Sequence, residues 1–175
     1  MKKLFSILAL VAISTGAVKA QSTFQKSDKF VEGMASYTKT EGSEGTYKLV
    51  PTVGYFVNDK IAVGLMGEFS TTQNSKTTNI GAFGRCYFLS LGKNFKIFSD
   101  LTVKSNSTTT DGEKTSGVAF GAGMGLNYFV TNRLALSTRL ADLMSYNAES
   151  STFSIGFDGI KNPMVEPTFG VLYKF

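Results

Sequence analysis

Five charged residues stand inside otherwise apolar, alternating segments, and they are the first candidates for chemistry: Glu32, Glu68, Arg85, Asp100 and Arg139. Paired carboxylates could serve as acid and base in a glycosidase, but no cleft is evident around Glu68 and Asp100. Buried charges are tolerated when they are paired and hydrogen-bonded. We therefore interpret the five residues as a possible internal charge network. The alternative is that some of them lie near a rim, solvated and unpaired.

The composition excludes most catalytic and metal-binding templates. The chain has no His, so a Ser–His–Asp triad and His metal ligands cannot be assembled. Cys86 is the only cysteine, which rules out an internal disulfide. We interpret it as a small apolar residue. We expect no catalytic, cofactor or metal site, and the lack of a Lys/Arg cluster argues against a nucleic-acid partner.

The stretch Gly117–Phe129, GVAFGAGMGLNYF, indicates which kind of element positions these charges. Every second residue from Val118 is Val, Phe, Ala, Met, Leu or Tyr, while the residues between are mostly Gly or Ala. Strand side chains alternate between two faces, so one face is apolar and the other is nearly bare. This inverted pattern favours a closed barrel whose apolar face points into lipid.

Eight strands are predicted: Phe30–Thr38, Tyr47–Val57, Lys60–Thr71, Thr78–Phe88, Phe95–Lys104, Gly117–Val130, Arg133–Met144 and Glu166–Phe175. The alternation assigns the following residues to the lipid face: Leu49, Val53, Tyr55, Val57, Ile61, Val63, Leu65, Phe69, Phe95, Ile97, Leu101, Val103, Leu134, Leu136, Leu140, Phe169, Val171, Tyr173 and Phe175. Mid-strand charges fall on the opposite face, as expected because a lipid-facing Arg or Lys costs about 2–4 kcal/mol at mid-membrane. The fourth strand is ambiguous, since turning Arg85 inward also turns Phe83 and Tyr87 inward. The predicted fold is an all-β, closed, antiparallel up-and-down transmembrane β-barrel.

Residues 151–167 leave the strand count open. Thr152–Asp158 alternates like a strand, and Gly159–Pro163 is typical of a turn or bulge. Either the last strand is long and broken, or additional strands are present. Because a bacterial single-chain barrel has an even number of strands, eight is preferred and ten is the alternative.

The connections alternate between polar segments and tight turns. The polar segments are 39–46, 72–77, 105–116 and the region after Met144, and the turns are Asn58-Asp59, Leu89–Asn94 and Thr131-Asn132. Outer-membrane barrels have short periplasmic turns and longer outward loops. Gly54–Val63 matches Asn127–Leu136 almost position by position, which predicts two equivalent hairpins.

Aromatic residues recur beside the tight turns and in the last strand. They predict a girdle at the periplasmic lipid–water boundary, composed of Tyr55, Tyr87, Tyr128 and Tyr173. The alternative is that they are core aromatics at strand ends.

The N-terminus has the three-part pattern of a cleaved signal peptide over residues 1–20: a basic head, an apolar run and a small-residue tail ending at Ala20. Residues 21–29 are polar and predict a flexible leader, so the barrel domain is expected to span residues 30–175. Removing the signal peptide lowers the net charge from +5 to +2, because it takes three of the lysines.

In these features the chain resembles the small outer-membrane β-barrel domain proteins, often labelled porin-like, of the OmpA/OmpX type. The resemblance rests on the exported N-terminus, the Tyr-Phe-Val-x-Asp/Asn-Lys/Arg-Ile/Leu-Ala turn motif and the terminal Phe169-Gly-Val-Leu-Tyr-Lys-Phe175. It implies a place in the outer membrane of a Gram-negative cell envelope, in contact with its lipid. It also implies that Phe175, with Tyr173, is the signal read by the barrel-assembly machinery.

Three functions are compatible with the sequence. The leading hypothesis is a monomeric, non-enzymatic outer-membrane barrel with a structural or adhesion-like surface role in its extracellular loops, although the sequence names no surface partner. The alternative is a small pore or channel, but eight strands leave little room for an aqueous path. A soluble periplasmic lipocalin-like barrel is disfavoured, because it predicts apolar residues inside and usually begins with Gly-x-Trp, whereas this chain has no Trp.

Overall fold

The computed structural model describes residues 24–39, 45–110, 113–148, 152–155 and 168–175. Within these ranges the strands are β1 (Lys29–Thr38), β2 (Thr46–Phe56), β3 (Ile61–Thr72), β4 (Ser75–Leu91), β5 (Phe95–Thr110), β6 (Glu113–Phe129), β7 (Leu134–Asn147), β8 (Thr152–Ile155) and β9 (Thr168–Lys174). A helix long and apolar enough to cross a membrane is absent from the described part of the chain. The predicted signal peptide 1–20, leader residues 21–23 and the predicted turn at 159–163 lie outside it.

The strands form one closed antiparallel sheet. Strands β1 to β7 pair in chain order, and β9 pairs with both β7 and β1, which closes the barrel. Strand β8 pairs with the last four residues of β7, whereas β9 pairs with its first six. The two short strands therefore occupy one position beside β7. This confirms an eight-stranded barrel whose last strand is broken, rather than one of ten strands.

The two ends of the barrel differ in their connections. Short turns at 57–60, 92–94 and 130–133 lie at one end, which we call the turn end. The opposite end carries the connections from β1 to β2, β3 to β4, β5 to β6 and β7 to β8, and we call it the loop end. Both chain ends of the barrel, at Lys29 and Lys174, lie at the turn end, where they pair with Tyr55 and Phe30.

Apolar side chains cover the outside of the wall. Leu65 and Leu101 are 62% and 64% exposed, although both lie in the middle of long strands. The other residues assigned to the lipid face are also exposed, except that Ile97 and Leu134 are half-buried. The inner face of β6 consists largely of the glycines of its alternating pattern, as predicted. The pattern thus identified the outward face of the wall.

The inside of the turn end is filled by aromatic and aliphatic side chains. We call this set the aromatic plug: Phe24, Phe30, Phe56, Ala62, Phe83, Tyr87, Phe98, Phe129, Ala135 and Leu172. Phe24 belongs to the segment predicted as a flexible leader, and for residues 24–28 that prediction is wrong. Its ring is 3% exposed and stacks on Phe56 at 4.2 Å between centroids. The leader docks because Phe24 removes a large apolar surface from water.

Much of the polar sequence predicted as loops at 72–77 and 105–116 is strand instead. Strands β4, β5 and β6 continue through it, so their hairpins project at the loop end. Thr is favoured in strands, and facing hydroxyls pair across the sheet. The Oγ atoms of Thr77 and Thr108 are 3.2 Å apart, and those of Ser75 and Thr110 are 3.1 Å apart. Residues 40–44, 111–112 and 149–151 lie outside the described ranges.

The two hairpins predicted to be equivalent have the same turn geometry. The Asn58 side chain accepts hydrogen bonds from the backbone N–H groups of Lys60 and Ile61, at 2.9 and 2.8 Å. At the matching place, the Thr131 hydroxyl accepts them from Arg133 and Leu134, at 3.2 and 3.0 Å. The repeated sequence therefore encodes a repeated turn in which a side-chain oxygen replaces a missing backbone acceptor.

Candidate functional site

The lumen carries a continuous ion-pair network just above the aromatic plug. Arg85 on β4 donates a hydrogen bond to Glu32 on β1 at 2.9 Å, and its guanidinium lies 3.7 Å from Asp100 on β5. Arg139 on β7 donates two hydrogen bonds to Asp100, both of 3.1 Å. The structure thus brings together four of the five charged residues predicted for the lumen. Such mutual pairing is what permits charges to lie out of contact with water.

Arg85 is held by rings as well as by carboxylates. Its Cζ lies 3.9 Å from the ring centroid of Phe98, 5.3 Å from that of Phe83 and 5.8 Å from that of Phe30. A guanidinium over an aromatic face gains a cation–π attraction that strengthens when the pair is desolvated. The aromatic plug and the ion-pair network therefore form one packed unit.

The bare face of β6 makes room for this unit. A Cβ added at Gly125 would overlap the ring of Phe98, and one added at Gly123 would overlap the guanidinium of Arg139. The glycines therefore accommodate both an aromatic ring from β5 and a cation from β7. The sequence shows the alternating glycines, but not which side chains they accommodate.

A fifth member, Asp142, was missed at the sequence level. Arg139 donates a hydrogen bond from Nε to this carboxylate at 2.8 Å. In a regular strand, residues three apart point to opposite faces. The pairing of β7 with β6 slips at two places, between Ala122 and Gly123 and between Met124 and Gly125, which re-aims the side chains of β7. Such bulges leave no clear signal in the sequence.

Glu68, the remaining predicted residue, belongs to a separate cluster nearer the loop end. Its two carboxylate oxygens each lie 3.1 Å from a lysine ammonium, one from Lys48 on β2 and the other from Lys104 on β5. Neither lysine was predicted as a partner of Glu68. Predicting that these three side chains are neighbours requires the register of the strands, which the sequence alone does not specify.

The aromatic girdle at the turn end differs from the prediction at one position. Tyr55, Tyr128 and Tyr173 belong to the outward face. Tyr87 points inward and is buried among the plug residues, so its assignment to the girdle is wrong. Its neighbour Phe88 is exposed instead. Turning Arg85 inward toward Glu32 forces Tyr87, two residues further, to the same side.

The C-terminal residues lie at the outer edge of the turn end. Phe175 is exposed, and its ring contacts that of Tyr173 edge-on at 5.1 Å between centroids. Its backbone N–H donates to the carbonyl of Lys29 at 2.8 Å, which ties the last residue to the first strand. Cys86 is also exposed, and on β4 it alternates with the inward Arg85 and Tyr87.

The charged side chains inside the lumen are paired with one another, while Oε1 of Glu32 and Nε of Arg85 have no hydrogen-bond partner among the described residues. In the described residues, three His, Cys, Asp or Glu side chains do not come together as metal ligands. Asp100 faces two guanidinium groups, and Glu68 faces two ammonium groups. The network therefore fits a role in holding the lumen closed.

Comparisons with known proteins support the fold. No protein-family model matches the sequence, and no curated protein matches it either. The N-terminal β-barrel domain of Pseudomonas aeruginosa OprF is similar at a TM-score of 0.62, with 15% identity over 86% of this chain and 98% of that chain. Neisserial surface protein A is similar at a TM-score of 0.56, with 18% identity over 85% of this chain and 96% of that chain.

A third solved structure extends the likeness. It is the outer membrane protein OprG from Pseudomonas aeruginosa, with a TM-score of 0.53 and 13% identity over 90% of this chain and 99% of that chain. At these identities the likeness concerns the fold. The eight-stranded barrel implied by the resemblance to small outer-membrane barrels is confirmed.

Proposed function

We propose that the protein is a monomeric, non-enzymatic outer-membrane barrel with a closed lumen, which presents its loop-end hairpins at the cell surface. One observation carries this proposal: the wall is apolar outside while the charges and the aromatic plug fill the inside. A soluble protein rarely exposes contiguous apolar patches larger than a few hundred Å². A lipid bilayer is the environment that such a wall fits.

Aromatic residues near both ends of the wall support a membrane-spanning position. At the turn end the exposed aromatics are Tyr55, Phe88, Phe95, Tyr173 and Phe175, and toward the loop end they are Tyr37, Tyr47, Phe69, Phe120, Phe153 and Phe169. Aromatic side chains of barrels concentrate at the two lipid–water boundaries. We infer that the turn end faces the periplasm and the loop end faces outward.

The filled lumen argues for an anchor rather than a channel. Eight strands enclose an interior that side chains alone can fill. Here the aromatic plug closes the turn end, and the ion-pair network of Glu32, Arg85, Asp100 and Arg139 lies directly above it. An aqueous path would have to displace both. The surface role therefore belongs to the polar hairpins β3–β4 and β5–β6.

Export and assembly complete the proposal. In this proposal, residues 1–20 are the cleaved signal peptide. Phe175 and Tyr173 form the signal for the barrel-assembly machinery, which is supported by their exposure on the last strand. Cleavage after Ala20 would leave Phe24 as the fourth residue of the mature chain, close enough to its start to enter the barrel without a long linker.

Two measurements on detergent-folded protein test this function. An unboiled sample should migrate differently from a boiled one on a detergent gel, because a closed barrel resists unfolding by detergent alone. Identical migration would count against the barrel. In planar bilayers the same protein should insert without discrete conductance steps. Regular steps would support a channel and overturn the closed lumen.

A further inference from the structure

An open groove crosses the outer wall of the barrel close to its turn end. Its volume is about 550 Å³, which lies within the range of small-molecule sites, about 300–1,000 Å³. Four aliphatic and two aromatic side chains of the outward face border it: Val31, Val53, Tyr55, Val63, Leu65 and Phe175. A groove with such a border fits an extended apolar chain.

The groove lies where the wall bends sharply. The inward-facing residues Phe30, Gly54 and Gly64 form its floor through their backbone, and they are paired across β1, β2 and β3. A Cβ added at Gly64 would overlap the backbone carbonyl of Val53, and one added at Gly54 would overlap the ring of Phe30. Glycines in strands commonly mark such tight bends. The bend crowds the inner atoms and spreads the outward side chains apart, which opens the groove.

A lysine side chain also lines the groove. Lys29 is exposed on the wall, where it pairs with Tyr55 on β2, and its carbonyl accepts a hydrogen bond from the N–H of Phe175. Lys29 does not take part in the ion pairs found among the described residues. An ammonium on a lipid-facing wall is tolerated near the lipid–water boundary, where it reaches the head groups. The aromatic neighbours of Lys29 place it at that boundary.

Two hydroxyl groups lie at the same side of the groove. The hydroxyl oxygen of Tyr55 is 3.2 Å from Oγ of Ser27. Each hydroxyl carries one donor hydrogen, and the contact between them uses one of the two. The pair therefore keeps one donor for a further acceptor, in addition to the three donors of the Lys29 ammonium. A phosphate, with several anionic oxygens, is an acceptor that matches this set.

The turn end as a whole is basic. Its described turns, and the strand ends beside them, carry the two acidic side chains of Asp28 and Asp59. The same segments carry seven basic side chains: Lys26, Lys29, Lys60, Lys93, Lys96, Arg133 and Lys174. Basic residues next to a membrane attract anionic head groups. The edge of the barrel thus favours a lipid with a net negative charge over a zwitterionic one.

We propose that the groove binds one anionic phospholipid. An acyl chain lies between the aliphatic side chains, and the phosphate contacts the ammonium of Lys29 and the hydroxyl pair of Tyr55 and Ser27. The inference rests on the proposed function, because it requires a wall that faces lipid. Two copies of the chain meeting groove to groove would bring their Lys29 ammonium groups together, and this repulsion disfavours a second copy as the occupant.

Native mass spectrometry of the detergent-folded protein tests the site with two lipids that share their acyl chains. Phosphatidylglycerol is anionic, whereas phosphatidylcholine is zwitterionic. One molecule of phosphatidylglycerol should bind saturably and at least about tenfold more tightly than phosphatidylcholine, because the basic edge attracts its net charge. Equal affinities, or binding that does not saturate, would overturn the proposal. A dimer that forms in place of the lipid complex would also overturn it and would identify a second copy as the occupant.

A charge variant locates the head group. Lys29→Gln should weaken phosphatidylglycerol binding at least about tenfold through the lost contact between ammonium and phosphate. The control is Lys93→Gln, which removes an equal charge at the turn between β4 and β5, about halfway around the barrel from β1. It should bind like the unmodified protein. Unchanged binding by Lys29→Gln, or an equal loss in both variants, would contradict the site.

A volume variant locates the acyl chain. Val63→Trp fills the groove and should weaken the binding of both lipids at least about tenfold. Leu101→Trp enlarges a side chain that also points outward but does not line the groove, and both lipids should bind to it as before. Equal binding by the two tryptophan variants would show that the chain does not lie in the groove.

The gel mobility of unboiled samples establishes that each variant has folded before its binding is measured. The comparison of the two lipids uses the unmodified protein, so it remains decisive should a variant fail to fold. A barrel that shows the mobility shift but binds both lipids equally refutes the lipid site and leaves the proposed function standing. The failure of the inference is therefore distinguishable from the failure of the proposed outer-membrane role.

Discussion

The guanidinium of Arg85 lies over the ring of Phe98, with Cζ 3.9 Å from the ring centroid. Phe98 in turn occupies space that exists because Gly125 has no side chain. A buried cation, an aromatic ring and a glycine on three neighbouring strands therefore form one stack across the lumen. This stack connects the aromatic plug to the ion-pair network.

Replacing Arg85 by Met should destabilise the barrel by about 3–5 kcal/mol, because it leaves a buried carboxylate without its partner. The carboxylate is that of Glu32, whose side chain is fully buried. Urea unfolding in detergent micelles, followed by the gel mobility of the folded form, measures the change. The matched control is the double variant Arg85→Met with Glu32→Gln, which should recover most of the loss. A double variant as unstable as the single one would contradict the proposed pairing.

Glycine to alanine changes should differ sharply between the two faces of the wall. Gly125→Ala forces the ring of Phe98 to move, and overpacking of this kind costs about 1–3 kcal/mol. Gly84→Ala points outward, where an added Cβ meets no atom within 4 Å, and should change stability by less than about 0.5 kcal/mol. The same urea titration compares them. Equal effects would show that the inner face of β6 is not tightly packed.

Phe24→Ala should cost about 3–5 kcal/mol, the usual loss for a truncated buried Phe. The residue lies only five positions before the first barrel strand, yet it stacks on Phe56 and contacts Tyr87 at 4.4 Å between centroids. Phe88→Ala, at an exposed site of the same end, serves as the control and should have a smaller effect. If removing Phe24 leaves the unfolding midpoint unchanged, the leader is not part of the plug.

The two equivalent turns should tolerate an exchange of their side chains. Asn58→Ala or Thr131→Ala removes an acceptor of two backbone N–H groups and should cost about 1 kcal/mol. Asn58→Thr and Thr131→Asn should cost less, because each places at one turn the residue that serves at the other. Urea midpoints of the four variants decide this. Exchange variants as unstable as the alanine variants would show that the two turns are not interchangeable.

Alternation in the sequence was sufficient to predict the fold and the outward face. Leu65 and Leu101 could be assigned to the outside because only one of the two alternating sets of residues on each of their strands is apolar. The same rule was ambiguous on the fourth strand, where Tyr87 and Phe88 are adjacent aromatics of opposite parity. In the structure Arg85 points inward because its guanidinium pairs with the carboxylate of Glu32. This pairing could not be predicted without knowing that Glu32 and Arg85 lie close together in the lumen.

Features that depend on register or on long-range docking could not be predicted. The lysine partners of Glu68 lie on strands far apart in sequence, and Asp142 reaches Arg139 only because β7 is bulged. The docking of Phe24 had no periodic signal, since a single aromatic in a polar segment is common. The polar runs 72–77 and 105–116 have a composition typical of loops, but the strand preference of Thr outweighs it.

Nitroxide scanning of the wall in lipid bilayers tests the central claim most directly. With Cys86 first changed to Ser, a spin label is attached at Leu65→Cys and, separately, at Thr52→Cys on the inner face. The label at position 65 should collide far more often with oxygen, which partitions into lipid, than with a water-soluble nickel chelate. The label at position 52 should collide little with either reagent in a filled lumen. Preferential collision of the position-65 label with the nickel chelate would contradict a lipid-facing wall.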